Sequence, residues 1–352
     1  MTRRRRLSLV VLTLVTLCWD APANAVRVAA ADTVPSRLSD REFWSLIKDV
    51  SEPDGTFRSE NLLSNELQFQ WVIPDLMRVA KAGRAYLGVG PEQNFTYIGS
   101  LEPSIAFILD VRRGNLDLHL LYKALFELST TRADFVGLLF SRPRPQGLDV
   151  RSSAQDIFDA YAAQAPSERL FTETMARVRD RLLTTHGFEL GDGDVRGIEF
   201  VLRAFLTFGP SIKYSPFGLA GGTVQPTYAA LMAATDERGH TLSFLGREDR
   251  FAFVKGLQAR NLIVPVVGNF AGPKALPALG AYLKTKGATV SAFYVSNVEE
   301  YLRRDGLWPE FCANVSTLPI DATSTFIRSA RATPEDPMAG MRSEIAPMES
   351  CR

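Results

Sequence analysis

Cysteine and histidine are scarce in this 352-residue chain, which contains three of each. Six such residues are too few for a zinc-based scaffold, and the spacing of His119, His186 and His240 does not match a two-histidine metal site. Positive charge is also limited, because 40 basic residues face 39 acidic ones. This balance argues against a nucleic-acid-binding protein that relies on bulk positive charge. The composition, 46% hydrophobic and 22% charged, is globular and excludes collagen-like and coiled-coil proteins.

Near the N-terminus, the run from Leu7 to Cys18 is apolar but only twelve residues long. As a helix it rises about 18 Å, which is short of a membrane core of about 30 Å. It follows Arg3–Arg6 and precedes Ala23-Asn24-Ala25, an order typical of a cleaved signal peptide. We therefore predict a signal peptide over residues 1–25 and a periplasmic or secreted protein, with no stable membrane span after cleavage. The arginine run fits both the general and the twin-arginine export route.

Cleavage before Val26 would remove four of the 40 basic and one of the 39 acidic residues, leaving a net charge of −2. Cys312 and Cys351 would remain. In an oxidising compartment they are able to pair and close a long loop. The alternative is a buried Cys312 and a free Cys351. We favour the alternative, because residues 330–352 are polar and rich in Pro and Met and are predicted to be a disordered tail.

Short apolar runs bounded by Gly and Pro alternate with helical patterns in both halves of the chain. Ala85–Asp110 reads as strand, turn, helix and strand, and Leu262–Val295 contains two further strands around a helix. This alternation predicts an α/β fold with a doubly wound, mainly parallel sheet. A weaker pattern suggests a strand over Thr241–Leu245, and Phe326-Ile327 is a candidate last strand. We predict one domain over residues 26–329.

Helical patterns dominate the middle of the chain. Residues 115–140 are predicted to be helical, and residues 152–208 read as three helices interrupted near Ala165-Pro166 and Gly191-Asp192-Gly193. We interpret the segment of about 150–210 as a helical insertion in the α/β domain. The loop predicted over 210–226 carries Tyr214, which is a candidate to cover a pocket, since long ordered loops are often functional.

In a doubly wound sheet, ligands bind beyond the carboxyl ends of the strands. That rule selects four clusters: Gly88 to Asn94, Asp110 to Arg113, Gly268 to Phe270, and Ser296 to Glu299. Glycines after a strand let the backbone approach a ligand, and a carboxylate at the end of the next strand can accept ribose hydroxyls. The alternative is that the glycines only form a tight turn and that Asp110 caps the next helix or pairs with Arg112 or Arg113.

The Gly88-x-Gly90 turn followed by Asp110 resembles the class I S-adenosylmethionine-dependent methyltransferases. The resemblance implies a Rossmann-like fold, with Gly88 and Gly90 around the amino-acid end of the cofactor and Asp110 on its ribose. The sequence departs from the family at Glu92, which replaces the third glycine and places a carboxylate near that of the cofactor. The strings Gly90–Ile98 and Phe293–Leu302 also look like a family of uncharacterised bacterial proteins, for which no activity is implied.

Asparagine and glutamate are frequent at the predicted strand ends, and Asn65 and Glu66 precede the first strand. Amides and carboxylates suit a small polar ligand such as a polyol, a sugar or an amino acid. We therefore predict an exported protein that binds such a ligand. The alternatives are an S-adenosylmethionine-dependent methyltransferase and a non-catalytic structural protein whose asparagines only cap turns and helices. The candidate ligand- or cofactor-binding residues are Gly88, Gly90, Glu92, Asn94, Asp110, Asn269 and Asn297.

Overall fold

A computed structural model describes residues 34–217, 225–330, 336 and 342–351. The predicted signal peptide lies outside these residues, as does part of the loop predicted over 210–226. Within the described ranges, no helix is both long enough and apolar enough to cross a membrane.

A six-stranded sheet forms the centre of the molecule. Its strands, in chain order, are β1 (Ala85–Val89), β2 (Ile105–Asp110), β3 (Ile263–Val267), β4 (Val290–Ser296), β5 (Thr325–Ser329) and β6 (Ser343–Pro347). Their spatial order is β3-β2-β1-β4-β5-β6, and every pairing is parallel except that of β5 with β6. The α/β class and the mainly parallel sheet are thereby confirmed, and the arrangement is compatible with a Rossmann-like fold.

Helices cover the sheet and form the insertion. They are α1 (Asp40–Val50), α2 (Ile73–Val79), α3 (Gln93–Leu101), α4 (Arg113–Leu128), α5 (Arg132–Phe140), α6 (Ala154–Ala162), α7 (Glu168–Arg179), α8 (Asp192–Phe208), α9 (Tyr228–Ala233), α10 (Glu248–Ala259), α11 (Ala275–Thr285), α12 (Val298–Arg304) and α13 (Trp308–Ser316). One π-helical turn, Asp180–Thr185, follows α7.

The inner strands are apolar on both faces because helices cover the sheet from both sides. Every residue of the inner strand β2 is buried, as is every residue of the edge strand β3. Pro265 is tolerated in β3 because this strand lies at the edge of the sheet, where one row of backbone groups has no neighbouring strand. Part of that edge is covered, since Val267 accepts a hydrogen bond from the Glu52 N–H (2.8 Å).

The strand order reverses between β1 and β4. The chain passes from β1 to β2 through α3, continues outward to β3, and returns across the sheet through α11 to β4. Diverging connections leave a crevice beyond the carboxyl ends of β1 and β4, which is where doubly wound sheets bind ligands.

Three helices, α6 to α8, occupy the predicted insertion, and their ends agree with the predicted interruptions. Ser153 begins α6 with a capping box to Asp156, which satisfies backbone N–H groups at the helix start. The insertion is joined to the start of α4 by an ion pair between Arg113 Nε and Asp194 Oδ1 (2.8 Å).

The helical prediction for residues 115–140 is confirmed except at residues 129–131, where Thr131 caps a second helix through a reciprocal pair of hydrogen bonds with Asp134. One local prediction was wrong, since Thr241–Leu245 is not a strand. Its apolar side chains are buried by aromatic packing instead, as when the Phe244 ring meets Phe95 at 5.4 Å.

The C-terminal segment also differs from the prediction. Residues 343–347 form β6, and Cys351 forms a disulfide with Cys312 of α13, with 5.0 Å between their Cα atoms. The predicted disorder over residues 342–351 and the free Cys351 are therefore wrong. The sequence of β6 is short and has no hydrophobic pattern that would predict a strand. Backbone pairing with the edge of β5 and the nearby disulfide hold this segment in place.

Candidate functional site

A cavity of about 410 Å³ lies at the carboxyl ends of the parallel strands, and we call it the strand-end cavity. It is lined by residues that follow each of four strands: Gly90 after β1, Asp110 and Val111 at β2, Asn269 and Phe270 after β3, and Ser296 and Asn297 at β4. Four predicted site residues, Gly90, Asp110, Asn269 and Asn297, thus line a common cavity. Its volume falls in the range of small-molecule sites.

Gly90 lines the cavity just after β1 and has no side chain to fill it. Its φ of +72° is a left-handed conformation that favours glycine, and no atom lies within 4 Å of where a Cβ would be. Its carbonyl oxygen is 2.8 Å from His119 Nε2. Burial lowers the pKa of His119 to about 4, so the ring is neutral and donates this hydrogen bond as the Nε2–H tautomer.

Asp110 reaches the cavity but is already engaged by a neighbour. Its Oδ1 accepts from Arg112 Nε (3.0 Å) and its Oδ2 from Arg112 Nη2 (2.9 Å). The backbone N–H of Arg112 donates a third bond to Oδ1 (2.9 Å). A ribose would compete with this bidentate ion pair for the same oxygens.

Asparagine amides supply the uncommitted polar groups of the lining. Neither Asn65 nor Asn297 has a side-chain hydrogen bond to another described residue. Asn269 accepts from the Ala271 N–H (3.0 Å) through Oδ1, which leaves its amide nitrogen free to donate. Asn297 does not cap α12 through its side chain, although it occupies the N-cap position.

Three predicted site residues, Gly88, Glu92 and Asn94, lie beneath the lining. The Nδ2 of Asn94 donates to the carbonyls of Val89 (2.9 Å) and Pro91 (2.7 Å), and its Oδ1 accepts from Tyr86 (2.9 Å). A Cβ on Gly88 would lie 1.8 Å from this Oδ1. Gly88 therefore makes room for a side chain that shapes the turn.

Glu92 is fully buried at the start of α3. Both of its carboxylate oxygens lie 3.2 Å from the backbone N–H of Ser64, which donates to them. Burial raises the pKa of Glu92 to about 8, so this carboxyl group is mostly protonated at neutral pH. It forms part of the support beneath the cavity.

Another buried acid, Glu66, collects hydroxyl donors beneath the same cavity. It accepts hydrogen bonds from Tyr294 (2.9 Å), Ser296 (2.6 Å), Ser329 (2.6 Å) and Ser343 (2.6 Å), and from Gln93 Nε2 (3.2 Å). Tyr294 and Ser296 also line the cavity. Glu66 was predictable from the sequence but most of these hydroxyls were not, because they come from β4, β5 and β6, and only the pairing of those strands brings them together.

Aromatic side chains form the apolar part of the lining. Phe57 and Tyr301 meet edge to face at 5.4 Å, and the Tyr301 hydroxyl accepts from Arg58 Nη2 (2.9 Å). Phe270 and Tyr214 also line the cavity. Burial raises the pKa of Tyr214 to about 12, so it stays a neutral phenol.

Carboxylates of the protein itself occupy helix N-termini next to the cavity. Glu52 accepts from the backbone N–H groups of Asn269 (2.8 Å), Lys274 (3.0 Å) and Ala275 (2.9 Å) at the start of α11. At the start of α4, Asp54 accepts from the Arg113 N–H (2.6 Å). These positions would otherwise attract an anionic ligand. Among the described residues, no group of three or more His, Cys, Asp or Glu is arranged to hold a metal ion.

A family model matches residues 62–345 of the chain, which span the sheet, the insertion and the strand-end cavity. The protein therefore belongs to this family, which is described as a domain of unknown function (DUF7790). A search of curated proteins finds no match.

Proposed function

We propose that this member of a family of unknown function binds a small polar ligand without net charge in the strand-end cavity. The observation that carries the proposal is the pair of lining amides, Asn65 and Asn297, without side-chain hydrogen bonds in the described part of the chain. Amide groups both donate and accept hydrogen bonds, so they suit the hydroxyls of a sugar or polyol and the polar groups of an amino acid.

The charges around the cavity support a ligand without net charge. Two arginines, Arg58 and Arg304, and two aspartates, Asp110 and Asp305, contribute to the lining. Arg304 pairs with Asp305 (2.9 Å), and Asp110 pairs with Arg112. Arg58 is exposed to solvent and donates to the Tyr301 hydroxyl (2.9 Å). Because Glu52 and Asp54 take the neighbouring helix N-termini, no strong anion site remains there. The aromatic rings offer apolar faces for the carbon skeleton of a ligand.

The second candidate is an S-adenosylmethionine-dependent methyltransferase. The strand order and the Gly90 turn support a methyltransferase-like topology, and Asp110 lies on the cavity as the resemblance implies. The ion pair of Asp110 with Arg112 and the buried Glu92 at the start of α3 favour the uncharged ligand instead, since both occupy positions that the cofactor would need.

We also propose that the protein acts outside the cytoplasm. The signal-peptide pattern supports export, and the Cys312–Cys351 disulfide suits an oxidising compartment. S-adenosylmethionine is a cytoplasmic metabolite, which is a further reason to place the uncharged ligand first.

Thermal unfolding of the chain from Val26, measured with separate ligands, tests the proposal. The panel contains hexoses, polyols and neutral amino acids, with S-adenosylmethionine, S-adenosylhomocysteine and NAD as separate arms. At a hundredfold excess over the dissociation constant, binding adds about 2.7 kcal/mol to the free energy of unfolding, an easily measured shift. We expect a shift with a member of the first group and no shift with the nucleotide cofactors.

Asn297→Ala should abolish the shift without changing the stability of the free protein, because its side chain has no hydrogen bond to another described residue. Gln155→Ala is the control, since it truncates an exposed amide on α6 away from the cavity. A shift only with S-adenosylmethionine or its demethylated product would replace the proposal by the methyltransferase. A shift that persists in Asn297→Ala would place the ligand elsewhere.

A further inference from the structure

A second cavity, of about 350 Å³, lies between the helical insertion and α5. It is bordered by α5, α7 and the loop over residues 141–145, and we call it the insertion cavity. It shares no lining residue with the strand-end cavity. The loop contains Arg142-Pro143-Arg144-Pro145, in which the prolines restrict the backbone and so limit the positions of the two arginines.

Three guanidinium groups line the insertion cavity: Arg142, Arg144 and Arg177. Arg144 forms an ion pair with Asp134, which also lines the cavity. In the described ranges, neither Arg142 nor Arg177 pairs with a carboxylate. Three positive charges against one negative charge leave a net charge of +2 at this site.

The two unpaired arginines have few other partners. Arg142 Nη1 donates to the carbonyls of Tyr161 (2.7 Å) and Ala162 (3.3 Å) at the end of α6, whereas its Nε is buried and has no hydrogen-bond partner among the described residues. Burial lowers the pKa of this guanidinium, because no nearby anion compensates for its lost hydration. Arg177 makes one long contact, with the Leu128 carbonyl at 3.5 Å. Both side chains thus retain donors for a ligand.

A threonine provides an independent observation. Thr174 of α7 lines the same cavity, is only 2% exposed as a residue, and makes no side-chain hydrogen bond with any described residue. Helical threonines commonly donate to the carbonyl one turn earlier. Here the hydroxyl remains available to a molecule in the cavity.

We propose that the insertion cavity binds a small tetrahedral dianion, either inorganic phosphate or the phosphate group of a small metabolite. Guanidinium groups match the oxygens of such a group through paired hydrogen bonds, and the threonine hydroxyl adds a donor of the kind common in phosphate sites. A bound dianion would neutralise the net charge of +2 and link α5 to α7 through the intervening loop.

Calorimetric titration of the chain from Val26 at low ionic strength tests this site, with inorganic phosphate and glycerol 3-phosphate as probes. Low salt is required because screening weakens charge interactions at a half-open site. We expect a dissociation constant below about 1 mM for at least one probe. Tighter binding of glycerol 3-phosphate would identify a phosphate monoester as the ligand, and equal or weaker binding would identify free phosphate.

Arg177→Gln should weaken binding about tenfold or more, because it removes a charged donor that has little structural role. Thr174→Val, which keeps the shape of the side chain, should weaken binding as well. Arg179→Gln is the matched control, since it removes the same charge from the same helix outside the insertion cavity. Absence of binding with both probes would overturn the proposal, as would equal weakening in Arg179→Gln or unchanged affinity in Arg177→Gln.

Discussion

Replacing Asn94 by aspartate changes one terminal group of a buried side chain and should destabilise the protein strongly. In the native structure, Asn94 Nδ2 donates to the carbonyls of Val89 (2.9 Å), Gly90 (3.3 Å) and Pro91 (2.7 Å). A carboxylate oxygen at this position is unable to donate and faces three carbonyl oxygens. The turn that leads from β1 to the strand-end cavity would lose its internal support.

The magnitude follows from the hydrogen bonds that are lost. The Gly90 carbonyl keeps its bond from His119 Nε2 (2.8 Å), so only the bonds to Val89 and Pro91 are counted. A buried acceptor left without its donor costs about 1–3 kcal/mol. Two of them give a loss of about 4 kcal/mol in the free energy of unfolding, a large part of the about 5–15 kcal/mol of a typical domain.

Urea denaturation followed by circular dichroism measures this loss, provided that the slope with urea is unchanged. Asn297→Asp is the matched control, because it makes the same substitution at a strand end where the amide has no side-chain hydrogen bond to another described residue. The control should change stability by no more than about 0.5 kcal/mol. A loss below about 1 kcal/mol in Asn94→Asp, or an equal loss in the control, would refute the structural role of Asn94.

Three further predictions concern buried charge and the disulfide. Because burial raises the pKa of Glu92 to about 8, the folded state holds a proton that the unfolded state has released, and the free energy of unfolding should fall as pH rises from about 4.5 to about 8. Urea denaturation at pH 5 and pH 8 should show that Glu92→Gln no longer loses this stability as the pH rises. The same pH dependence of the free energy of unfolding in the wild type and in Glu92→Gln would contradict the prediction. Reducing the Cys312–Cys351 bond, which joins residues 39 apart, should cost about 4 kcal/mol by loop entropy; an unchanged melting temperature under reductant would contradict this. Glu127→Gln leaves Lys123, whose side chain is 2% exposed, without its partner and should cost about 3 kcal/mol by urea denaturation, whereas a loss below 0.5 kcal/mol would mean that the pair adds nothing.

Much of the sheet was predictable because its inner strands are buried on both faces. The segments that became β1, β2, β3 and β4 are continuous apolar runs bounded by Gly, Pro or Asn, and covering helices turn such runs into parallel strands. Thr241–Leu245 is similarly apolar, but its aromatic side chain, Phe244, packs against α3 and α4. Local hydrophobicity reports burial, and it does not distinguish a strand from a buried turn.

The position of the strand-end cavity was predictable, whereas the placement of each polar residue around it was not. The rule for strand ends placed Gly90, Asp110, Asn269 and Asn297 on one cavity. Gly88, Glu92 and Asn94 come from the same segment yet lie beneath the lining, because the turn after β1 directs their atoms into the protein. Whether a polar residue near a turn points outward depends on neighbours that are distant in sequence.

The sequence by itself determined the alternation of strands and helices, the three helices of the insertion and the edge of the sheet where polar residues gather, because these depend on local periodicity and turn residues. Only the tertiary structure decided that Arg112 forms an ion pair with Asp110, that Glu66 accepts hydrogen bonds from hydroxyls of three strands, and that Cys351 forms a disulfide with Cys312. Each of these contacts joins groups whose proximity depends on how strands and helices pack or on how a side chain is oriented. The order of residues along the chain specifies neither this packing nor the orientation of a side chain.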